Sequence, residues 1–582
     1  MFKLLKKFDK YDFVTLFFII GFIVCQVWLD LTMPDYTTKL AESIASGGAS
    51  SQAVWENGLM MLLCALGSLV SSFACVFLSA RLASKFSKNL RGSIYNKISS
   101  FSSTEMKKFS IPSLITRSTN DVVQMQMFIA MGLQVLIKAP ILAIWAISKI
   151  SSASIEWTSA ILITVVVLIA LIGIVVGLVL PKFRKVQKLI DNLNDVTREN
   201  VEGVRVVRAF NAEDYQQNKF ETANNNLTKN QLFTAKVTGL MMPIMTLCMN
   251  GLTLAIYWIG AILVNNAPVA ERALVIGNMV AFTQYAMQVV MAFIMLVVVF
   301  IILPRAIVSA RRINEVLDTV PAMQEGEKEN TSDIKGQVEF RNVSYKYEDG
   351  QDNVLSNITF SAKKGETVAI IGATGSGKTS LINLIPRLID ASEGEVIVDG
   401  MNVKDYKQED LQKRIAVVAQ KACLFKGDIK SNITYGYAGD VDENKENIRN
   451  AINISEAKFV HKLKKGIESD VAQGVSNYSG GQKQRISIAR AIFKDAEIII
   501  FDDSFSALDY KTDMLVRKNI KNKLDDKTLI IVAQRIGTIK EADKIIVLDD
   551  GKIAGMGRHD ELLENCPLYK EIALSQLSKE EL

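Results

Sequence analysis

The chain has 582 residues, of which 49% are hydrophobic, with a formal net charge of +6 and a mean hydropathy of +0.20. This length predicts several domains, and the apolar composition excludes a purely soluble protein of ordinary charge. The basic residues form no patch interleaved with aromatic residues, which argues against nucleic acid as a partner. The six cysteines have no C-x-x-C spacing and there are two histidines, so neither a disulfide framework nor a metal site built from them is indicated.

An amphipathic basic stretch, residues 1–12 with Lys6 and Lys7 among its cations, begins the chain and is suited to lie on a membrane surface. The apolar run at residues 13–33 is too long for the core of a signal peptide, so we interpret it as a retained membrane span. Five further runs of about 20 or more residues could also cross a bilayer. They are residues 59–80, 128–147, 158–180, 240–264 and 279–303. The sequence therefore predicts six spans in a lipid bilayer.

Lysines and arginines concentrate between spans two and three and between spans four and five. The positive-inside rule then places these segments and both termini on the cytoplasmic side of the cell membrane. The same segments have helix-period apolar residues and few Gly or Pro, so we expect the spans to continue as helices beyond the membrane, turning near residues 109–117 and 210–215. Within the spans, Asp30 and Lys138 could contact cargo or pair with each other.

A polar stretch, residues 318–335, predicts a linker between a transmembrane domain at residues 1–317 and a second domain at residues 336–577, followed by a tail at residues 578–582. In the second domain short β-like runs alternate with helical segments, which is typical of an α/β nucleotide-binding domain on a largely parallel sheet. These runs include residues 338–340, 367–371, 395–398, 415–418, 498–501, 528–532 and 544–548.

A phosphate-binding motif follows the run at residues 367–371. It reads Gly372-Ala373-Thr374-Gly375-Ser376-Gly377-Lys378-Thr379 and is followed by Ser380. The glycines let the backbone approach an anion, the helix N-terminus and Lys378 attract it, and the Thr379 hydroxyl would hold Mg²⁺. The alternative is a Gly-rich turn before a helix, but the strand–loop–helix context favours a site for ATP.

Two later motifs make the prediction more specific. Asp502 ends the apolar run at residues 498–501, where P-loop NTPases place a carboxylate that holds Mg²⁺. Between it and the phosphate loop lies Tyr478-Ser479-Gly480-Gly481-Gln482. With six spans ahead of them, these motifs resemble those of ATP-binding-cassette (ABC) exporter half-transporters, over nearly the whole chain. The resemblance implies a multidomain fold, an all-α six-helix transmembrane domain followed by an α/β P-loop nucleotide-binding domain.

The resemblance also implies roles for individual residues. Tyr347 would stack on the adenine ring, and Gln420 would sense Mg²⁺ in the catalytic site. Ser479, Gly480, Gly481 and Gln482 would complete an ATP site across a head-to-tail dimer, and coupling helices would lie near Ile111 and Ala212. Tyr347 could instead be an aromatic residue of an edge strand, and Gln420 a solvated loop residue. Their order and spacing favour the functional interpretation.

Two positions depart from the family pattern. The residue after the Mg²⁺-binding aspartate is normally Glu, but here it is Asp503, whose carboxylate is about 1.5 Å further back. Misplacement on that scale can cost about a hundredfold in rate. Gln534 stands where the family has a switch histidine, and an amide cannot become cationic or shuttle a proton. We therefore expect the chain's own site to bind Mg·ATP and hydrolyse it slowly.

These departures predict a heterodimer in which the partner is a homologous ABC half-transporter with intact catalytic residues. The family resemblance implies an amphipathic small-molecule or lipid substrate. Two alternatives stay open, a homodimeric exporter with slow ATP hydrolysis and an ATP-sensing regulatory membrane subunit. Residues 472–475, which replace a G-E-R-G motif, indicate either altered coupling or neutral drift.

Overall fold

The chain divides into two compact units. One comprises Met1–Ser99 and Ile111–Thr319, and the other comprises Ser100–Ser110 and Val320–Leu582. The computed structural model describes residues 2–5, 8–45, 51–151, 155–268, 271–347, 350, 352–437, 439, 444–472 and 477–576. Lys6 and Lys7 of the basic stretch, residues 473–475 of the G-E-R-G replacement and the predicted tail lie outside the described residues.

The first unit is built from helices, in agreement with the predicted all-α transmembrane domain. They are α1 (Phe2–Leu5), α2 (Lys10–Ala45), α3 (Ser51–Ser99), α5 (Ile111–Ser118), α6 (Asn120–Met127), a π-helical turn (Phe128–Gly132), α7 (Leu133–Ser151), α8 (Ile155–Glu202), α9 (Val204–Ala209), α10 (Glu213–Gly239), α11 (Met241–Asn266) and α12 (Arg272–Asp318), with α4 (Ser103–Phe109) belonging to the second unit. Among the described residues, six stretches are long and apolar enough to cross a membrane. They are Lys10–Ser43, Ser51–Ser99, Ile111–Ser151, Ile155–Val179, Glu213–Asn266 and Arg272–Asp318.

Polar side chains connect three of these long helices. Lys149 Nζ of α7 lies 2.6 Å from Asp35 Oδ2 of α2, and the Tyr285 hydroxyl of α12 donates to the other oxygen of Asp35. Lys138 Nζ and Asp30 Oδ2 are 3.9 Å apart, so the two residues whose pairing the sequence leaves open form an ion pair. Paired intramembrane charges avoid the cost of an isolated one in lipid.

The turn between α3 and α5 differs from the sequence-based expectation. The break in the helices covers Ser100–Ser110, with α4 at its centre, whereas the pattern around Pro112 predicts a turn near residues 109–117 and a coupling helix near Ile111. Pro112 is instead the second residue of α5, a position that tolerates proline because its missing N–H has no intrahelical partner there. At the second turn, α9 ends at Ala209 and α10 begins at Glu213.

The second unit is an α/β domain with two main sheets. Its strands are β1 (Val338–Tyr345), β2 (Leu355–Ala362), β3 (Thr367–Gly372), β4 (Glu393–Val398), β5 (Met401–Asn402), β6 (Ile415–Val418), β7 (Gly427–Asp428), β8 (Asp470–Val471), β9 (Ile498–Asp502), β10 (Thr528–Val532), β11 (Lys544–Asp549) and β12 (Lys552–Gly557). One sheet has the order β12-β11-β3-β10-β9-β6 and is parallel except for β12. The other, β2-β1-β4-β5, is antiparallel, and a short β7-β8 pair completes the set.

Helices α13 to α21 of this unit surround the sheets. They are α13 (Lys378–Asn383), α14 (Gln408–Arg414), α15 (Ile429–Ile433), α16 (Lys445–Ile454), α17 (Gly480–Phe493), α18 (Tyr510–Lys523), α19 (Ile536–Ile539), α20 (His559–Asn565) and α21 (Pro567–Gln576). Successive residues of β3 enter two different cores: Val368 and Ile370 pack on one face, Ala369 and Ile371 on the other. The sheet is thus buried on both faces, and its strands read as continuous apolar runs.

Candidate nucleotide-binding site

The phosphate-binding motif forms the loop between the central strand β3 and helix α13. Gly375 and Gly377 have φ values of +91° and +92°, a region that favours glycine. A Cβ atom on Gly377 would lie 2.8 Å from Leu355 Cδ2 and 2.9 Å from the Val354 carbonyl oxygen, whereas one on Gly375 would meet nothing within 4 Å. The loop is therefore a backbone cradle that is packed on the domain at Gly377 and free at Gly375.

Lys378 closes over this loop. Its Nζ donates hydrogen bonds to the carbonyl oxygens of Gly372, at 2.8 Å, and of Ala373, at 2.7 Å. Burial lowers the pKa of Lys378, and the nearby carboxylates of Asp503 and Asp502 partly oppose this effect. In the described part of the chain this ammonium is held by backbone carbonyls, and no carboxylate lies within hydrogen-bonding distance of it. It can therefore turn to phosphate oxygens when a nucleotide enters.

The predicted Mg²⁺ ligands lie next to each other. Thr379 Oγ1 is 3.5 Å from Oδ2 of Asp502, which is buried at the carboxyl end of β9. Burial and the adjacent Asp503 raise the pKa of Asp502, while the Thr379 hydroxyl and Lys378 lower it. Oxygen ligands of this kind suit Mg²⁺, which is usually held by one or two carboxylates together with substrate phosphates. The described residues contain no cluster of three or more His, Cys, Asp or Glu that could hold a metal, and a nucleotide-bound Mg²⁺ does not require one.

Three predicted catalytic residues meet at a single oxygen atom. Oδ2 of Asp503 accepts hydrogen bonds from Gln534 Nε2, at 3.0 Å, and from Gln420 Nε2, at 3.3 Å. Asp503 has φ of +45°, and its N–H donates to the carbonyl oxygen of Val532 at 2.9 Å. Asp503 and Gln534 also line a cavity of about 140 Å³. The carboxylate is thus held by two neutral amides beside the phosphate loop.

Tyr347 also reaches this site. Its hydroxyl lies 3.3 Å from Ser380 Oγ at the start of α13, and its ring packs edge-on with Tyr345 at a centroid distance of 5.1 Å. Lys107 Nζ of α4 lies over the Tyr347 ring, 4.6 Å from its centroid. No motif in the sequence indicates this position for Lys107, because the contact joins residues 240 positions apart.

The signature residues form a separate feature, the N-terminus of α17. The Ser479 side chain caps this helix by accepting from the Gln482 N–H at 3.3 Å, and the Gln482 side chain accepts from the Ser479 N–H at 2.9 Å. Across the described ranges, none of the hydrogen bonds of Ser479–Gln482 reaches the phosphate loop. One turn later Gln484, only 2% exposed, donates to the carbonyl oxygen of Ala419 at 3.2 Å, next to Gln420.

Family comparisons agree with this architecture. A model described as "ABC transporter transmembrane region" matches residues 16–293, and one described as "ABC transporter" matches residues 355–506. The chain belongs to the ABC transporter family. It is an ABC half-transporter with an N-terminal transmembrane domain and a C-terminal nucleotide-binding domain, and the predicted fold class is confirmed.

Several proteins resemble this ABC half-transporter over nearly their whole length. An uncharacterized ABC transporter ATP-binding protein of Mycobacterium tuberculosis is 36% identical over 94% of this chain and 93% of its own. The ATP-dependent lipid A-core flippase of Bordetella avium is 27% identical, with 92% and 90% covered. The structure of a bacterial Atm1-family ABC exporter with ATP bound has a TM-score of 0.78 at 21% identity and covers 97% of this chain and 99% of that one. At that identity the likeness shows the fold alone.

Proposed function

We propose that this chain is one half of a heterodimeric ABC exporter. Its phosphate loop would bind Mg·ATP and hydrolyse it slowly, and its signature residues would complete the ATP site of a homologous partner. The observation that carries this proposal is the environment of Asp503, whose Oδ2 accepts from both Gln420 and Gln534.

Hydrolysis needs a carboxylate that orients and polarises the attacking water. Asp503 is one methylene shorter than glutamate, and its Oδ2 already accepts hydrogen bonds from two side-chain amides. A shortfall of about 1.5 Å in reach can cost about a hundredfold where positioning is the catalysis. Gln534 would donate one neutral hydrogen bond to the γ-phosphate after leaving Asp503, but it has no cationic form that would stabilise the transition state.

Binding needs none of these missing features. Lys378 would exchange its carbonyl partners for phosphate oxygens, and the N–H groups of the phosphate loop would surround them. Thr379, Asp502 and Gln420 would hold Mg²⁺, which neutralises charge on the β- and γ-phosphates when bound. The proposed result is a pocket that retains nucleotide and seldom cleaves it.

The proposed cargo is an amphipathic drug or lipid, moved out across the cell membrane by alternating access. The six membrane-length apolar stretches among the described residues, and the similarity to a protein named as a lipid A-core flippase, support this class of cargo. The distribution of lysines and arginines supports cytoplasmic termini, so that the ATP site would face the ATP supply.

Single-site trapping in the purified heterodimer tests the proposal. Asp503→Glu combined with Gln534→His should raise turnover at this chain's own site by at least about tenfold, because it restores reach and a titratable switch. Each single substitution should give a smaller gain, and Mg·ATP affinity should change little. Fast hydrolysis at the unmodified site would contradict the proposal, and brisk transport by this chain alone would establish a homodimeric exporter instead.

A further inference from the structure

Helix α4 is anchored on the nucleotide-binding unit by one buried carboxylate. Glu105, 5% exposed, accepts hydrogen bonds from the Ser102 N–H at 2.7 Å and the Ser102 hydroxyl at 2.5 Å through Oε2, and from the Ala322 N–H at 2.9 Å through Oε1. The bond from the Ser102 N–H is one half of a capping box that begins the helix, and the other half is the Glu105 N–H donating to the Ser102 side chain. The bond from the Ala322 N–H ties α4 to the segment that leads into the nucleotide-binding domain. In sequence, α4 joins the long helix α3 to α5.

With α4 held by Glu105, a lysine of the same helix lies over Tyr347, the residue predicted to stack on adenine. Lys107 lies two residues after Glu105 on the same helix, and its Nζ is 4.6 Å from the centroid of the Tyr347 ring. The buried Tyr345 packs against the same ring, which is 40% exposed. The Tyr347 hydroxyl is close to Ser380, which keeps the ring beside the phosphate loop. Lys107 therefore covers aromatic surface that a nucleotide base could otherwise use.

We propose that Lys107 competes with the adenine of ATP for the face of Tyr347 and so sets nucleotide affinity from the first cytoplasmic turn. The inference rests on the proposed binding of ATP at Tyr347. An ammonium and an adenine ring both bind the π-face of tyrosine, and one face holds one of them at a time. The flexible lysine side chain can swing away while Glu105 keeps α4 in place. Binding linkage then requires that any movement of α4 that withdraws Lys107 raises ATP affinity, and that bound ATP favours that movement.

Comparing ATP with a ligand that has the same phosphates but no base separates competition at the Tyr347 ring from the general attraction between lysine and phosphate. Dissociation constants of the purified full-length chain are measured for Mg·ATP and for Mg·tripolyphosphate, which has the phosphates but no base. Lys107→Gln should tighten ATP relative to tripolyphosphate by about two- to fivefold, the size expected for an exposed cation–π contact. Lys107→Arg, which keeps a cation at this position, should retain the wild-type ratio of ATP to tripolyphosphate affinity. Lys108→Gln, on the exposed neighbouring lysine, is the matched control and should leave the ratio unchanged.

Tyr347→Ala separates this inference from the proposed function. It should weaken ATP but not tripolyphosphate, and in its background Lys107→Gln should have no effect on the ratio. An ATP affinity that survives Tyr347→Ala would refute nucleotide binding at this ring, and the inference with it. A loss with Tyr347→Ala, combined with an unchanged or reduced preference for ATP in Lys107→Gln, would refute only the competition by Lys107.

Discussion

The phosphate loop contains two glycines with nearly the same backbone conformation and different surroundings. Gly375 and Gly377 both have φ near +90°, but only Gly377 is packed against Leu355 and the carbonyl oxygen of Val354. Gly375 is required for its backbone conformation, whereas Gly377 is required both for its conformation and because a side chain would not fit. Substitution at the two positions therefore measures the two requirements separately.

Gly375→Ala should cost about 1–2 kcal/mol, the strain of a left-handed alanine. Gly377→Ala should cost more, because its Cβ would be 2.9 Å from a backbone oxygen that cannot move aside cheaply. Thermal unfolding and Mg·ATP affinity of the two variants provide the measurement. Equal losses would show that strain alone explains the role of Gly377.

The sequence predicts which residues form the site better than it predicts how they meet. Motif spacing is sufficient for Lys378, Thr379, Asp502 and the departure at Asp503, since these residues lie at the ends of recognisable strands or within the loop. It does not predict that Gln420 and Gln534 share one oxygen of Asp503, because that depends on side chains from three different segments.

At the scale of elements, α4 shows how a local signal can be overlooked. Ser102-x-x-Glu105 is a capping-box sequence and could have located the helix start, but Pro112 is the more conspicuous break in the pattern. The strands differ in a similar way. The buried parallel strands β3, β9 and β10 read as apolar runs, whereas β2 mixes buried, partly buried and exposed residues and β12 contains glycines, so neither of these two stands out in the sequence.

The docking of α4 should depend on the charge of Glu105. Burial raises the pKa of Glu105, but hydrogen bonds from Ser102 and Ala322 outweigh this and hold it below its ordinary value of 4.5. The stabilisation is therefore complete above about pH 4.5 and is lost as the pH falls through the lower, folded-state pKa. Glu105→Gln should cost about 1–3 kcal/mol locally at neutral pH.

Hydrogen–deuterium exchange of residues 100–110 measures this change. Exchange should accelerate in Glu105→Gln, while Glu202→Gln, which alters an exposed glutamate, should match wild type. Unchanged protection in Glu105→Gln would show that the charge of Glu105 does not hold α4 in place.

At the scale of the whole molecule, the proposed function has one ATP site that mainly binds nucleotide and a second site, completed by Ser479, that hydrolyses it. In the purified heterodimer, Ser479→Arg should abolish most ATP turnover, because it would obstruct the partner's site. Lys378→Met should lower nucleotide binding at this chain's own loop but leave much of the turnover. Total ATPase activity and nucleotide occupancy provide the measurement. Equal loss of activity from both substitutions would indicate two equivalent sites.

The sequence points to the proposed heterodimer through the departures at Asp503 and Gln534 together with the intact signature that begins at Ser479. It says nothing more of the assembly, since the residues that would complete each site would belong to a second chain. Composition predicts six apolar helices because the bilayer imposes their length and hydrophobicity. Cargo choice has no comparable signature, because it depends on the shape of a space between many helices.

The amide of Gln484 has a mechanical consequence. It joins α17, the helix capped by Ser479, to the backbone beside Gln420, whose side chain donates to Asp503. The helix end that would meet a partner in the proposed dimer is therefore tethered to the surroundings of Asp503. A displacement at either end would be transmitted to the other through this hydrogen bond from a buried side chain. If the proposed heterodimer forms, its two ATP sites would then be unable to relax independently.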